Sequence, residues 1–288
     1  MVQTLETPLL SVEDLHVTYD TPTGLVRAVS GVSFELGREK LGIVGESGSG
    51  KSQTGRAILG LTAAGGEVRA RRMEFEGTDL LTADQPTMRR VRGAGISMIM
   101  QDPKYSLNPV MTVGAQIEEA FLIHSKSSKR VAHERTLEML RAVKIREPQR
   151  VYKAYPHEVS GGMGQRIMIA MMMIPEPNII IADEPTSALD VTVQLQVLAV
   201  LDDMIAERRM GLIFISHDLN LIASFCDRIL IMYGGKIMEQ CTADNLHQAQ
   251  HPYTRGLLNC LPRLDGGQSE LSVLKRDPAW LETTGMAE

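Results

Sequence analysis

Gly45-Glu46-Ser47-Gly48-Ser49-Gly50-Lys51-Ser52 decides how this 288-residue chain is read. It follows the apolar run Leu41-Gly42-Ile43-Val44, a buried strand by pattern, and precedes residues 53–61, which continue as a helix. Strand, G-x-x-x-x-G-K-[ST], helix is the context of a phosphate-binding loop. Glycines let successive N–H groups turn inward toward phosphate oxygens, and the positive end of the next helix faces the same anion. In that pattern Lys51 reaches the β- and γ-phosphates and the Ser52 hydroxyl ligates Mg²⁺.

Working outward, 43% hydrophobic and 23% charged residues describe an ordinary soluble globular chain. The net charge of −5 argues against nonspecific nucleic-acid binding. Residues 167–174, the longest apolar run, are too few to span a bilayer. The N-terminus carries no basic region before an apolar core, so no signal peptide is expected. Cys226, Cys241 and Cys260 are scattered without C-x-x-C spacing, which suits reduced thiols in a cytosolic protein better than a disulfide framework or metal site.

Residues 9–36 alternate apolar and polar around Thr21-Pro22-Thr23-Gly24, predicting an antiparallel hairpin. Tyr19 near the end of its first strand either packs there or stacks on an adenine ring. Short strands and a polar helix fill residues 62–95, where Arg69, Arg71 and Arg72 read as a solvated edge. Residues 96–100 read as a buried strand that Pro103 cannot continue. From 110 to 154 the period turns helical, predicting a helical insert. Ser160-Gly161-Gly162 opens another helix, whose Met171, Met172 and Met173 are expected to fill a core face. Residues 179–182 read as a buried parallel strand, 193–207 as a helix, and 212–216 and 229–232 as further strands. The turn Tyr233-Gly234-Gly235-Lys236 follows, and after about residue 240 the tail shows no strand pattern.

Three of these strands end in polar residues, and an open parallel sheet binds ligands outside the carboxyl ends of its strands. Asp183 is placed to hold Mg²⁺. Glu184, leaving the strand in another direction, is placed to orient and deprotonate an attacking water. His217 is either a structural histidine or a hydrogen-bond partner of the γ-phosphate.

Together these residues resemble the ATP-binding subunits of ABC transporters over almost the whole chain. Gly45 to Ser52 is similar to Walker A, and residues 179–184 to Walker B with its catalytic glutamate. Gln101 resembles the Q-loop, Ser187-Ala188-Leu189-Asp190 the D-loop, His217 the switch histidine and Tyr19 the adenine-stacking aromatic. Ser160-Gly161-Gly162-Met163 resembles the family signature, which binds the γ-phosphate of ATP held by the opposite subunit. Ser160 and the N–H groups at that helix start suit a second anion site.

The resemblance implies an α/β fold: a P-loop ABC core with a mostly parallel sheet, an N-terminal antiparallel β subdomain and a helical insert at about 104–174. It implies an ABC domain at 1–250 and a C-terminal extension at 251–288. Catalysis falls to Glu184, His217 and Lys51. Nucleotide contacts fall to Tyr19, Gly45, Glu46, Ser47, Gly48, Ser49, Gly50, Lys51, Ser52, Gln101, Asp183, Ser160, Gly161, Gly162 and Asp190. Ser52, Gln101 and Asp183 are the implied Mg²⁺ contacts.

Gln101-Asp102-Pro103, Ser106-Leu107-Asn108-Pro109 and His251-Pro252-Tyr253-Thr254 resemble the dipeptide/oligopeptide/nickel importer group. The stretches 23–29 and 44–50 look closer to the first, D-type, member of its ATPase pair. Gly164 departs from that group, which has a basic residue there. Some members carry an iron–sulfur cluster in the extension; Cys241 and Cys260 are too few for four thiolates, so none is expected.

The implied partners are a second, different ATPase subunit, two transmembrane permease subunits and an extracytoplasmic solute-binding protein, with no nucleic acid. The implied place is the cytoplasmic face of the inner membrane, held peripherally. The alternatives are a soluble ABC ATPase of DNA repair or ribosomes and a nucleotide-binding regulator without turnover. The former usually has paired cassettes, long coiled coils or zinc cysteines, which this sequence lacks.

Overall fold

A computed structural model describes residues 7–187, 189–260, 277 and 279–282. The described residues form two compact units, one of those up to 81 together with those from 214 onward, the other of those within 82–213.

In the first unit, β1 (Leu10–Thr21) and β2 (Gly24–Leu36) make the predicted hairpin, in register from Leu10 opposite Leu36 to Thr21 opposite Gly24. Its core face carries Val12, Leu15, Val17, Val29, Val32 and Phe34, all buried. The register slips between Val12 and Leu15, where Asp14 adopts φ 53° and its N–H donates to Ser33 Oγ at 2.9 Å. Next come β3 (Lys40–Gly45), the helix α1 (Lys51–Ile58), β4 (Gly66–Arg69), β5 (Arg72–Phe75) and β6 (Thr78–Asp79). One sheet runs β2-β1-β5-β6, with β4 also paired to β1. Arg69, Arg71 and Arg72 pair with Glu67, Glu13 and Glu74 in the open, as a solvated edge should.

The second unit begins with α2 (Gln85–Arg90) and β7 (Ile96–Ile99), followed by α3 (Pro103–Ser106), α4 (Val113–His124), α5 (Lys129–Ala142), α6 (Pro148–Lys153) and α7 (Gly161–Met173). Then β8 (Ile179–Asp183) lies parallel to β7, with Ile96 opposite Ile179 and Ile99 opposite Ala182, and leads to α8 (Val191–Arg208). Thr112, Ser128, Ser160 and Asp190 cap α4, α5, α7 and α8, each side-chain oxygen accepting an N–H of the first turn. The methionine run divides: Met173 is buried, whereas Met171 and Met172 are half-buried and line a cavity.

Strand β9 (Gly211–Ser216) starts in the second unit and ends in the first. There α9 (Leu219–Phe225), β10 (Arg228–Tyr233), β11 (Lys236–Thr242), α10 (Pro252–Asn259) and α11 (Ala279–Glu282) follow. Strand β10 is parallel to β3, setting Gly45 opposite Met232, and antiparallel to β11. The sequence gives no sign of β11: it is a partly exposed strand whose residues are mostly half-buried, so the apolar alternation that marks a strand is missing. The fold is therefore α/β, with parallel pairing of β3 with β10 in the first unit and of β7 with β8 in the second, and an antiparallel N-terminal sheet. Most of the expected extension after residue 260 lies outside the described residues. Among the described residues no helix is long and apolar enough to cross a membrane.

Candidate functional site

The phosphate-loop candidate connects the end of β3 to the start of α1. Gly45 has to be glycine: a Cβ would stand 2.1 Å from the carbonyl oxygen of Met232. Gly50 combines φ +97° with a Cβ position 2.4 Å from Ala28 O. The turn between them is closed by Ser49 N–H on Glu46 O at 3.1 Å, and Gly235 N–H donates to Ser49 O at 3.1 Å.

Lys51 is 5% exposed, and its ammonium donates to Gly45 O and Glu46 O, both at 2.8 Å, with Ser49 Oγ at 3.4 Å. A buried ammonium costs free energy unless its donors find acceptors, so the loop carbonyls hold the cation inside the turn. The N-terminus of α1 adds its own positive end beside that cation. This donor set suits a polyphosphate.

Beside it, Tyr19 donates its hydroxyl to Gln53 Oε1 at 2.6 Å, which ties the aromatic to α1. Its ring leans on Gly66, where a Cβ would approach Tyr19 Cε1 to 2.7 Å. His217 is exposed at the end of β9 and shares a cavity of about 360 Å³ with Gly45, Glu46, Leu257 and Cys260. Gln53 carries no sequence signal for its role, since any helix surface accepts a glutamine.

In the second unit Asp183 is the last residue of β8 and is 3% exposed. Glu184 follows in a left-handed conformation, φ 48°, unusual for a residue with a Cβ. That turn redirects its side chain, and Gln101 Nε2 donates to Glu184 Oε2 at 3.3 Å. The ends of β7 and β8 thus present a carboxylate and an amide together. Gln101 also lines a cavity of about 500 Å³ with Ser160, Gly161, Gly164, Pro185 and Leu189.

Ser160 and Gly161 are exposed, and Ser160 Oγ accepts Met163 N–H at 3.4 Å as the cap of α7. Gly162 has no room for a side chain, because a Cβ would meet Val193 Cγ1 at 2.4 Å. Asp190 caps α8 by accepting Val193 N–H at 3.0 Å. Ala188, between Ser187 and Leu189, lies outside the described residues. At Gly164 a Cβ would sit 3.6 Å from Pro103, in ordinary contact.

In the first unit Ser52 offers a hydroxyl oxygen, and in the second Gln101 and Asp183 offer an amide and a carboxylate oxygen; each is a hard donor of the kind that suits Mg²⁺. Gln116, on α4, is 5% exposed: it accepts Asn108 N–H at 2.7 Å and donates to Asn108 O and Met111 O. It thereby shapes the loop after Gln101. Burial pushes the Cys226 thiol up to about 12.

Known proteins resemble this chain over most of its length. Residues 29–187 match the family model described as ABC transporter. The chain is 48% identical, over 94% of its length and 81% of the relative, to the oligopeptide transport ATP-binding protein OppD of Escherichia coli (strain K12). It is 48% identical to the dipeptide transport ATP-binding protein DppD of Bacillus subtilis (strain 168), over 94% of the chain and 82% of the relative. Among solved structures, a dimeric ATP-binding cassette in a post-hydrolysis state with ADP and phosphate matches with TM-score 0.73 at 24% identity, covering 81% of this chain and 98% of that one. CbiO1 from Clostridium perfringens, part of the ABC transporter complex CbiONQ, matches with TM-score 0.72 at 22% identity, covering 88% and 96%. At these identities the structural matches concern the fold alone.

Proposed function

The chain belongs to the ABC transporter family of ATP-hydrolysing subunits, and on that premise we propose that it drives peptide import from the cytoplasmic face of a membrane. Peptide is the solute because the relatives at 48% identity are oligopeptide and dipeptide transport ATP-binding proteins.

The observation that carries the catalytic reading is the Lys51 ammonium held inside the turn by Gly45 O and Glu46 O. Lys51 and the N–H groups of residues 45–52 take the β- and γ-phosphates of ATP, and Tyr19 takes the adenine face. Ser52, Gln101 and Asp183 would hold Mg²⁺, which would neutralise charge on the transferred phosphoryl group. Glu184 orients the attacking water and accepts its proton, with Gln101 fixing the carboxylate. His217 donates a hydrogen bond to the γ-phosphate.

Ser160, Gly161 and Gly162 at the start of α7, with Asp190, face the ATP of a second ATPase subunit, so a closed pair contains two composite sites. That partner is a different chain of the same family. The helical subdomain spans about 104–174. A cavity of about 360 Å³, lined by Met111, Ile123, His124, Met171 and Met172, receives a cytoplasmic segment of a permease subunit. Methionines suit such a surface because their side chains adapt to the partner. A solute-binding protein on the far side supplies peptide, and residues 251–288 form the group's extension without an iron–sulfur cluster.

Reconstitution of the chain with its partner ATPase and permeases in vesicles tests this. Mg-ATP-dependent uptake of labelled di- or oligopeptide is expected. Hydrolysis with no peptide uptake would remove the solute assignment.

A further inference from the structure

Helix α10 is held at its start by the edge strand. Glu239 on β11 accepts Gln250 N–H at 2.6 Å and His251 N–H at 3.3 Å. His251 Nδ1 then accepts Tyr253 N–H at 3.1 Å and caps the helix. These bonds place Tyr253 in a fully buried position, its ring centroid 4.7 Å from Tyr233 and 5.7 Å from Trp280. The Tyr253 hydroxyl accepts the backbone N–H of Glu46 at 3.3 Å.

Glu46 is the second residue of the phosphate loop, and its carbonyl is one of the two that hold Lys51. A line of hydrogen bonds therefore runs from β11 through α10 and Tyr253 to Glu46 and on to the Lys51 ammonium. Farther along α10, Leu257 and Cys260 line the cavity that also contains Gly45, Glu46 and His217.

We propose that Tyr253 is a positioning residue of the phosphate loop, fixing the Glu46 peptide and with it the seat of Lys51. This rests on the reading of residues 45–52 as the ATP phosphate site. The physical ground is preorganisation: a donor or cation held in place before binding loses less freedom when the anion arrives. A rigid, buried ring carries the hydroxyl, so its oxygen is fixed where a long aliphatic side chain would wander. Tyr253 touches no reacting atom, and its effect passes through Glu46.

The test uses the full chain with Tyr253→Phe, which keeps the ring and removes the acceptor. Three quantities are read: the Kd for Mg-ATP by calorimetry, amide hydrogen exchange at Glu46, and the thermal midpoint. The expected result is a Kd raised about three- to tenfold, the range of one hydrogen bond, with faster exchange at Glu46 and unchanged exchange in β3 and β10. Exchange accelerated equally across β3, β10 and α10, or Kd and Glu46 exchange like wild type, overturns the proposal. Should Tyr253→Phe not fold, Glu239→Gln, which loosens the start of α10, carries the same test with a smaller shift in the same direction. Lys51→Ala is measured alongside: wild-type Mg-ATP affinity in that variant removes the phosphate-site reading itself, and the proposal with it.

Discussion

Gln101 Nε2 donates to Glu184 Oε2 at 3.3 Å, joining two residues 83 positions apart in the chain. The bond exists because Glu184 leaves β8 through a left-handed turn, φ 48°, which re-aims a side chain that an extended residue would carry elsewhere. Gln101→Ala should therefore leave ATP bound while hydrolysis falls, because the carboxylate loses its fixed orientation. Parallel measurement of Kd and kcat checks this; a raised Kd with kcat unchanged would mean that Gln101 serves only binding.

Lys51→Ala removes the cation from the loop, and charged hydrogen bonds are worth about 1.5–3 kcal/mol. Mg-ATP affinity should drop roughly ten- to hundredfold. Calorimetric titration reads it, and a Kd within twofold of wild type would place the phosphates elsewhere.

The helix N-terminus at Ser160 depends on close packing of α7 against α8. Gly162→Ala would drive a methyl to 2.4 Å from Val193 Cγ1, and overpacking of this kind costs about 1–3 kcal/mol. Val193→Ala in the same chain should recover most of that loss. Urea unfolding of both single variants and the double variant gives the coupling; strictly additive values would show that the two side chains do not meet.

Burial lowers His251 below the ordinary histidine range, partly opposed by the nearby Glu239 carboxylate. The neutral ring caps α10 through Nδ1. Below about pH 6.5 the unfolded chain binds a proton that the folded chain refuses, so this stabilisation is full above that pH and lost as pH falls. His124, also lowered by burial, acts in the same direction. His251→Asn keeps an accepting cap without the titration, and should show a shallower loss of stability between about pH 7 and 5. Identical pH slopes in urea unfolding would exclude His251 as a contributor.

Much of this architecture is legible in the sequence because the signals are local. The Gly45–Ser52 pattern, the hairpin turn at Thr21-Pro22-Thr23-Gly24 and the buried runs at 96–99 and 179–182 each carry their own period and punctuation. What escapes is relational. β11 is a strand because β10 offers it an edge, and its residues show no alternation. Gln116 has the spacing of a helical core residue, yet its amide organises the backbone of residues 108–112. Met171 and Met172 look identical to Met173 and differ only in which side of α7 they occupy. Tyr253 meets Glu46 across 207 residues, a contact that no local pattern announces.

Glu184→Gln bears on the central claim most directly. On the proposed role it should keep shape and ATP binding and lose the proton acceptor, an effect of about 10²–10⁴ on rate. The measurement is the size of this variant by chromatography, mixed with the proposed partner ATPase, with and without Mg-ATP. A pair-sized species that appears only with Mg-ATP, while hydrolysis stalls, is the predicted result. Separate subunits under conditions where Mg-ATP is demonstrably bound, or hydrolysis at the wild-type rate, would contradict the account.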